Sequence, residues 1–234
     1  MSATAIGDDQ RIIDLDSNYV LAEDPDALFA GGADWDKLGH ITTWSDFSRA
    51  LLPDWIASAG IACPRILAIG CGPGVFCRGL MDAGVRMEYH GCDVDPLAIE
   101  AARQLCDGQA QFHLCSGDDL AFDDGSFDIV MFESSLAYIQ YYGSAISEAC
   151  RVSRKKVISF HIPVFLREKT AVFRRTVLNT RIIPEICINE EEMLKIFWSR
   201  GYSLAAVSTS TVRYVPLKTP AFGIACFRSH LFTS

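Results

Sequence analysis

The chain has 234 residues, half of them apolar, with a formal net charge of −8 and nine cysteines. That is enough chain for one α/β domain of moderate size with a full core, and no run of about 18 apolar residues offers a membrane span. The opening Met-Ser-Ala-Thr-Ala-Ile-Gly-Asp-Asp carries acids and no long apolar stretch, so neither secretion nor membrane insertion is expected, and a cytoplasmic protein is.

The charge is unevenly placed. Residues 1 to 62 hold eleven acids against Arg11, Lys37 and Arg49, whereas nine of the 21 basic residues fall between Arg151 and Arg181, opposed only by Glu168. A local basic stretch on an acidic chain disfavours nucleic acid as a partner and suits a small molecule, an anionic one among the candidates. The cysteines at 63, 71, 77, 92, 106, 115, 150, 187 and 226 are scattered, odd in number, and lack a Cys-x-x-Cys pair or a histidine at ligand spacing. They read as buried thiols in a reducing compartment, with no metal expected.

From Met1 to about Gly32 periodicity is weak and acids are many, which reads as an arm partly ordered at best without a partner or ligand; Tyr19 lies within it. Asp34 to His40 reads as a turn. Trp44, Phe47, Leu51, Leu52, Trp55 and Ile56 recur at helical spacing and predict a helix over about 43–59, whose tryptophans either line a lid or pack an amphipathic face into the core.

Arg65 to Leu80 is the organising stretch. Ile66, Leu67, Ala68 and Ile69 form the short apolar run of a strand buried on both faces, and Gly70, Gly72 and Gly74 follow at alternate positions before Val75, Phe76 and Leu80 restart a helical pattern. A dinucleotide loop wants Gly-x-Gly-x-x-Gly, but Val75 stands five after Gly70 and Pro73 occupies the turn. Cys71 reads as a small loop residue. A second strand, 87–93, ends on Asp93, nineteen residues after Gly74, where an acid can accept both ribose hydroxyls of an adenosine ligand. Asp95 before Pro96 suits an N-cap with proline at the first helical position.

The run Ile-Leu-Ala-Ile-Gly-Cys-Gly-Pro-Gly resembles the first motif of the class I S-adenosylmethionine (SAM)-dependent methyltransferases, bacterial small-molecule enzymes among them, and weaker matches follow in family order. The chain departs from the family at Ala68, where an acid is common. The resemblance implies a Rossmann-like three-layer α/β sandwich whose seven-stranded, mostly parallel sheet has an antiparallel last strand. It further implies SAM in a site of Gly70, Cys71, Gly72, Gly74, Asp93 and Val94, with Asp118, or Asp119 in reserve, accepting from the adenine amino group after a third strand over 111–115. Tyr19 of the arm joins that set.

Phe127 and Asp128 open a fourth strand ending at Glu133 and Ser134, residues close to sulfonium and acceptor on the same analogy, with Tyr138 beyond them. The signature Asn/Asp-Pro-Pro-aromatic is absent at this edge, which weighs against nucleobase N6 or glutamine acceptors. After a helix around 145–152, a fifth strand, 156–160, finishes at His161. Its imidazole is either a base near neutral pH or a satisfied core histidine.

Residues 164 to 184 match no strong family element; Arg167, Lys169, Arg174, Arg175 and Arg181 either recognise a carboxylate or phosphate or form a solvated helix face. Asn189 with Glu192 makes a capping box for a helix stopped by Gly201, and two last strands are expected over 202–208 and 222–227. The expected division is an N-terminal arm and covering helix, 1–61, on the substrate side, and a SAM-binding domain, 62–234, with an insert at about 162–188. The function expected is methyl transfer from SAM to a small-molecule acceptor by a monomer or homodimer, Tyr138 and His161 being the candidate catalytic side chains. Alternatives are a SAM-consuming cyclase or lyase on the same fold, a non-catalytic binding protein of that fold, and a nucleotide-dependent oxidoreductase.

Overall fold

A computed structural model describes residues 19–21, 44–177, 181–216 and 222–234. The expected turn at Asp34 to His40 lies outside them, as does all of the amino-terminal arm except β1 (Tyr19–Leu21). The first helix, α1 (Asp46–Ala57), is capped by Ser45, whose hydroxyl accepts from Ser48 N at 3.2 Å. Next come β2 (Arg65–Ile69), α2 (Val75–Asp82), β3 (Glu88–Asp93), α3 (Pro96–Leu105), β4 (Gln111–Leu114), β5 (Phe127–Glu133) and α4 (Tyr142–Val152). The chain closes with β6 (Ser153–Phe165), β7 (Ala171–Val177), β8 (Arg181–Asn189), α5 (Glu190–Ser199), β9 (Ser203–Pro216) and β10 (Phe222–Thr233).

The sheet runs β4-β3-β2-β5-β6-β10-β9. Its first five strands are parallel and β10 is antiparallel to both neighbours, which is the sheet the family resemblance implies. Alternation along the strands fills two layers. Ile66, Ala68, Ile129, Met131 and Ile158 meet α1, α2 and α3 through Leu52, Phe76 and Ile99, while Leu67, Ile69, Val130 and Val157 meet α4 and α5 through Ile146, Met193 and Phe197. Each such buried aliphatic or aromatic side chain contributes about 1.5–3 kcal/mol. Trp44 packs edge-on to Phe76 at 5.8 Å and covers Gly79, so of the two readings offered for it core packing is what the fold uses.

Three expectations change. The fifth central strand does not finish at His161 but runs to Phe165, because β10 pairs with it along its length and β8 joins its far end at Val164 and Phe165. The basic stretch is no helix face: β7 and β8 form an antiparallel hairpin rich in Val, Ile and Thr, and β1 adds to its edge through Tyr19 opposite Arg175. Arg167, Lys169 and Arg174 are exposed. Phe165, Phe173, Cys187 and Ala225 give this extension its own small core. The last two strands, Ser203–Pro216 and Phe222–Thr233, are also longer than expected and pair antiparallel along their length.

Candidate functional site

Strand order reverses between β2 and β5, and the carboxyl ends of parallel strands flanking such a point form a crevice. Gly70, Gly72 and Gly74 turn the chain there with φ of 68°, 51° and 79°, values that a side chain resists. At Gly70 the constraint is doubled, since an added Cβ would fall on the Cβ of Ser135, whose hydroxyl donates to the Ile69 carbonyl.

Asp93 fixes this loop to the next strand. Its Oδ2 accepts from Gly72 N at 2.8 Å and its Oδ1 from Asp95 N at 3.0 Å, with Val94 N a further donor, and a carboxylate's roughly four acceptor sites leave capacity for a ligand. Burial pushes its carboxyl above the ordinary aspartate range, and the donors from Asp95 and Gly72 pull it back. Asp95 in turn accepts from Leu97 N at 2.9 Å, the expected cap of α3. Beside Asp93, Val94 stands 59% exposed, an apolar surface held open at the lip of the crevice. Cys71 is buried and its thiol is pushed well up, first by burial and then by the charges of Asp93 and Glu133, so it is no nucleophile.

The loop after β4 carries Asp118, half-buried and bonded by the Ser116 hydroxyl, and Asp119, which is exposed. Arg151 of α4 staples that segment. It pairs with Glu148 at 2.7 and 2.8 Å, with Asp124 at 2.8 Å, and donates to the carbonyls of Leu120 and Phe122 at 2.9 and 2.7 Å.

On the other side of the reversal point, Glu133 is 2% exposed and its Oε1 accepts from the Tyr89 hydroxyl at 2.9 Å. Burial raises its carboxyl to about 8, against the lowering effect of Tyr89. Ser134, just past β5, then lies beside His161 within β6, and the two have φ of 62° and 51°. In β6, Phe160 and His161 lie opposite the single residue Ser229, whose hydroxyl accepts from His161 N at 3.0 Å. This bulge turns the half-buried imidazole toward the rings of Phe47 and Phe227, 6.4 and 5.1 Å away between centroids. Tyr138 closes the single 3-10 turn after β5.

One edge thus holds Gly70, Cys71, Gly72, Gly74, Asp93, Val94, Asp118, Asp119, Glu133, Ser134, Tyr138 and His161. Tyr19 lies on β1, paired with Arg175 of β7. The sequence reading does not single out Tyr89, Ser135 or the stapling role of Arg151; the one signal that could have found Tyr89 is that a buried phenol needs a partner.

Residues 67–160, from mid-β2 to the end of the central part of β6, match the model of a methyltransferase domain family. Over that stretch the chain is similar to a methyltransferase domain. SAM, the cofactor the resemblance implies, fits the crevice: a turn of glycines that carry no side chains, a carboxylate at Asp93, and an exposed apolar lip at Val94.

Among curated relatives, the domain is 28% identical over 125 residues to a ubiquinone biosynthesis O-methyltransferase of Aromatoleum aromaticum, covering 51% of this chain and 52% of that one. An uncharacterized methyltransferase of Mycolicibacterium gilvum is 32% identical over 103 residues, 43% of this chain and 40% of that one. The chain therefore spans about half the length of the curated relatives it matches.

The fold is shared with a SAM-dependent methyltransferase from Methanosarcina mazei, with a TM-score of 0.60, 16% identity and coverage of 76% of this chain and 96% of that one. It is shared as well with the Burkholderia thailandensis 1,6-didemethyltoxoflavin-N1-methyltransferase bound to 1,6-didemethyltoxoflavin and S-adenosylhomocysteine, with a TM-score of 0.58, 15% identity and coverage of 91% and 94%. Among the described residues no helix is long and apolar enough to cross a membrane.

Proposed function

We propose that the chain transfers a methyl group from SAM to a small-molecule acceptor. The observation that carries this reading is the bond from Gly72 N to Asp93 Oδ2, which fixes the glycine cradle and the ribose acid as one unit at the point where strand order reverses. When bound, SAM supplies a methyl group activated by its sulfonium. The protein's part is to hold donor and acceptor about 3 to 3.5 Å apart and to exclude water.

In this reading Asp93 takes the ribose hydroxyls, Val94 covers one adenine face, and Asp118, with Asp119 in reserve, accepts from the adenine amino group. Gly70, Cys71, Gly72 and Gly74 receive the amino-acid end beside Glu133 and Ser134, while Tyr138 and His161 face the acceptor. Tyr19 is a contact contributed by the arm. The acceptor enters under the β7–β8 hairpin, which extends the sheet past the carboxyl ends of the central strands, so the insert at about 162–188 and the segment 1–61 form the substrate side of a SAM-binding domain over 62–234. A small, anionic acceptor suits exposed Arg167, Lys169 and Arg174. The relatives named for ubiquinone biosynthesis and didemethyltoxoflavin support a small molecule over a polymer. Nine free thiols support a reducing, cytoplasmic setting, for a monomer or homodimer.

His161 serves as base only where the acceptor reaches the site protonated. Incubating the protein with SAM and small-molecule extracts of its own organism, followed by mass spectrometry, tests the proposal. S-adenosylhomocysteine together with a product heavier by one methylene is expected. Methylthioadenosine formed from SAM alone would instead establish the cyclase or lyase alternative.

A further inference from the structure

Glu133 and Ala68 belong to the same face of neighbouring strands. Ala68 lies opposite Met131, so Glu133 projects from the next row toward the carboxyl end, while Tyr89 on β3 starts two rows lower, alongside Ile66 and Ile129. At about 3.3 Å per residue the Tyr89 and Glu133 backbones are separated by roughly four residues' rise, so hydroxyl and carboxylate meet at the Ala68 row. Only a small residue at 68 leaves room for that meeting, and a second carboxylate there would sit against the first.

The pair is half satisfied. Oε1 has Tyr89, but Oε2 is buried with no hydrogen-bond partner. The titratable groups facing Glu133 are Tyr89 from β3, Cys71 from the loop, Cys77 from α2 and Cys106 from α3, with Asp93 beyond Cys71; none is a cation. A buried carboxylate without a positive neighbour calls for one, and the glycine loop lies within reach of its charge through Cys71.

We infer that Glu133, held by Tyr89, is the buried counter-charge of the crevice, standing on β5 for the acid that Ala68 does not provide on β2, and that it answers the positive amino-acid end of bound SAM. This rests on the reading of the crevice as a SAM site. Glu133 is a positioning residue that acts through the loop and its field and takes no part in methyl transfer. Because its carboxyl is raised to about 8 in the ligand-free protein, it is mostly protonated near neutral pH and must release its proton to act as an anion. The four facing phenol and thiol groups are all pushed above their ordinary values and stay neutral there.

The test is calorimetry with two probes. S-adenosylhomocysteine carries the ammonium, and methylthioadenosine keeps the adenosine and thioether without the amino acid. For the wild type, S-adenosylhomocysteine binding at about pH 7 is expected to release close to one proton, read from two buffers of different ionisation enthalpy, and to tighten toward about pH 8.5. Glu133→Gln is expected to weaken S-adenosylhomocysteine by about tenfold or more, abolish the proton release, and leave methylthioadenosine within about twofold. The double variant Ala68→Asp with Glu133→Ala returns the acid to β2 and is expected to recover most of the affinity. Equal affinity and equal proton release for wild type and Glu133→Gln would overturn the inference, as would a double variant that folds and binds no better than Glu133→Ala alone. A wild type that binds neither probe would bring down the reading of the crevice itself, and the inference with it.

Discussion

Ser134 N donates to the carbonyl of Phe160 at 3.0 Å, which sets Ser134 beside His161 on the neighbouring strand, and both residues adopt left-handed backbone with φ of 62° and 51°. For residues with a side chain this costs about 1–3 kcal/mol each, a cost that clusters where chain ends are held open for function. His161→Gly is expected to be more stable than His161→Ala by about 1 kcal/mol, since only glycine relieves the strain. Urea midpoints compare the two. If His161 is the base, both variants lose turnover alike, and activity regained by the less stable one would remove the imidazole from the chemistry.

Gly70 and Gly84 share a positive φ, of 68° and 78°, but only Gly70 has a neighbour in the way, Ser135. Gly84→Ala is expected to cost about 1 kcal/mol and leave ligand binding unchanged, while Gly70→Ala adds overpacking of about 1–3 kcal/mol and weakens S-adenosylhomocysteine. Thermal melts with and without the ligand make the comparison, and equal losses at the two sites would refute it.

Arg151 makes five hydrogen bonds to the 120–124 segment and Glu148, with its side chain 31% exposed. Arg151→Met keeps the stem and removes the donors. A loss of about 1–3 kcal/mol is expected, smaller than for a fully buried cluster because solvent screens part of it. Amide exchange should quicken over residues 116–126 before it changes elsewhere. Uniform protection loss across the sheet would contradict a local role.

The Glu133 carboxyl is raised to about 8 by burial, far above its unfolded value. A raised acid stabilises the fold in its protonated form, so this contribution is complete below the unfolded value and is lost as pH climbs through about 8. Wild type should therefore lose stability relative to Glu133→Gln between about pH 5 and 9, by an amount on the order of a few kcal/mol. Parallel stability curves for the two proteins would show that Glu133 titrates normally.

The elements that frame the crevice were legible because their signals are local. The apolar run before Gly70, the acid ending the second strand and the Asp95-Pro96 cap depend on neighbours a few residues away and formed as read. Of the expected Asn189-Glu192 box only the bond from Glu192 N to Asn189 Oδ1 forms directly, Thr170 standing between Asn189 N and the Glu192 carboxylate. The β7–β8 hairpin was not, because its charges obscured the alternation of β-branched residues and its partners, β1 and the end of β6, are remote in the chain. Tyr89 and Glu133 are 44 residues apart, and Glu190 meets Arg228 and His230 across 38 and 40, pairings that exist only once strand order and register are known.

The account depends on Asp93 holding the sugar of an adenosyl ligand whose other end lies on the glycine cradle. Calorimetric titration of S-adenosylhomocysteine into wild type and Asp93→Ala, with NAD as the competing nucleotide, measures this most directly. The account predicts measurable S-adenosylhomocysteine binding to wild type, a loss of about tenfold or more in the variant, and no NAD binding. Affinity undiminished in Asp93→Ala, or a preference for NAD, would contradict it.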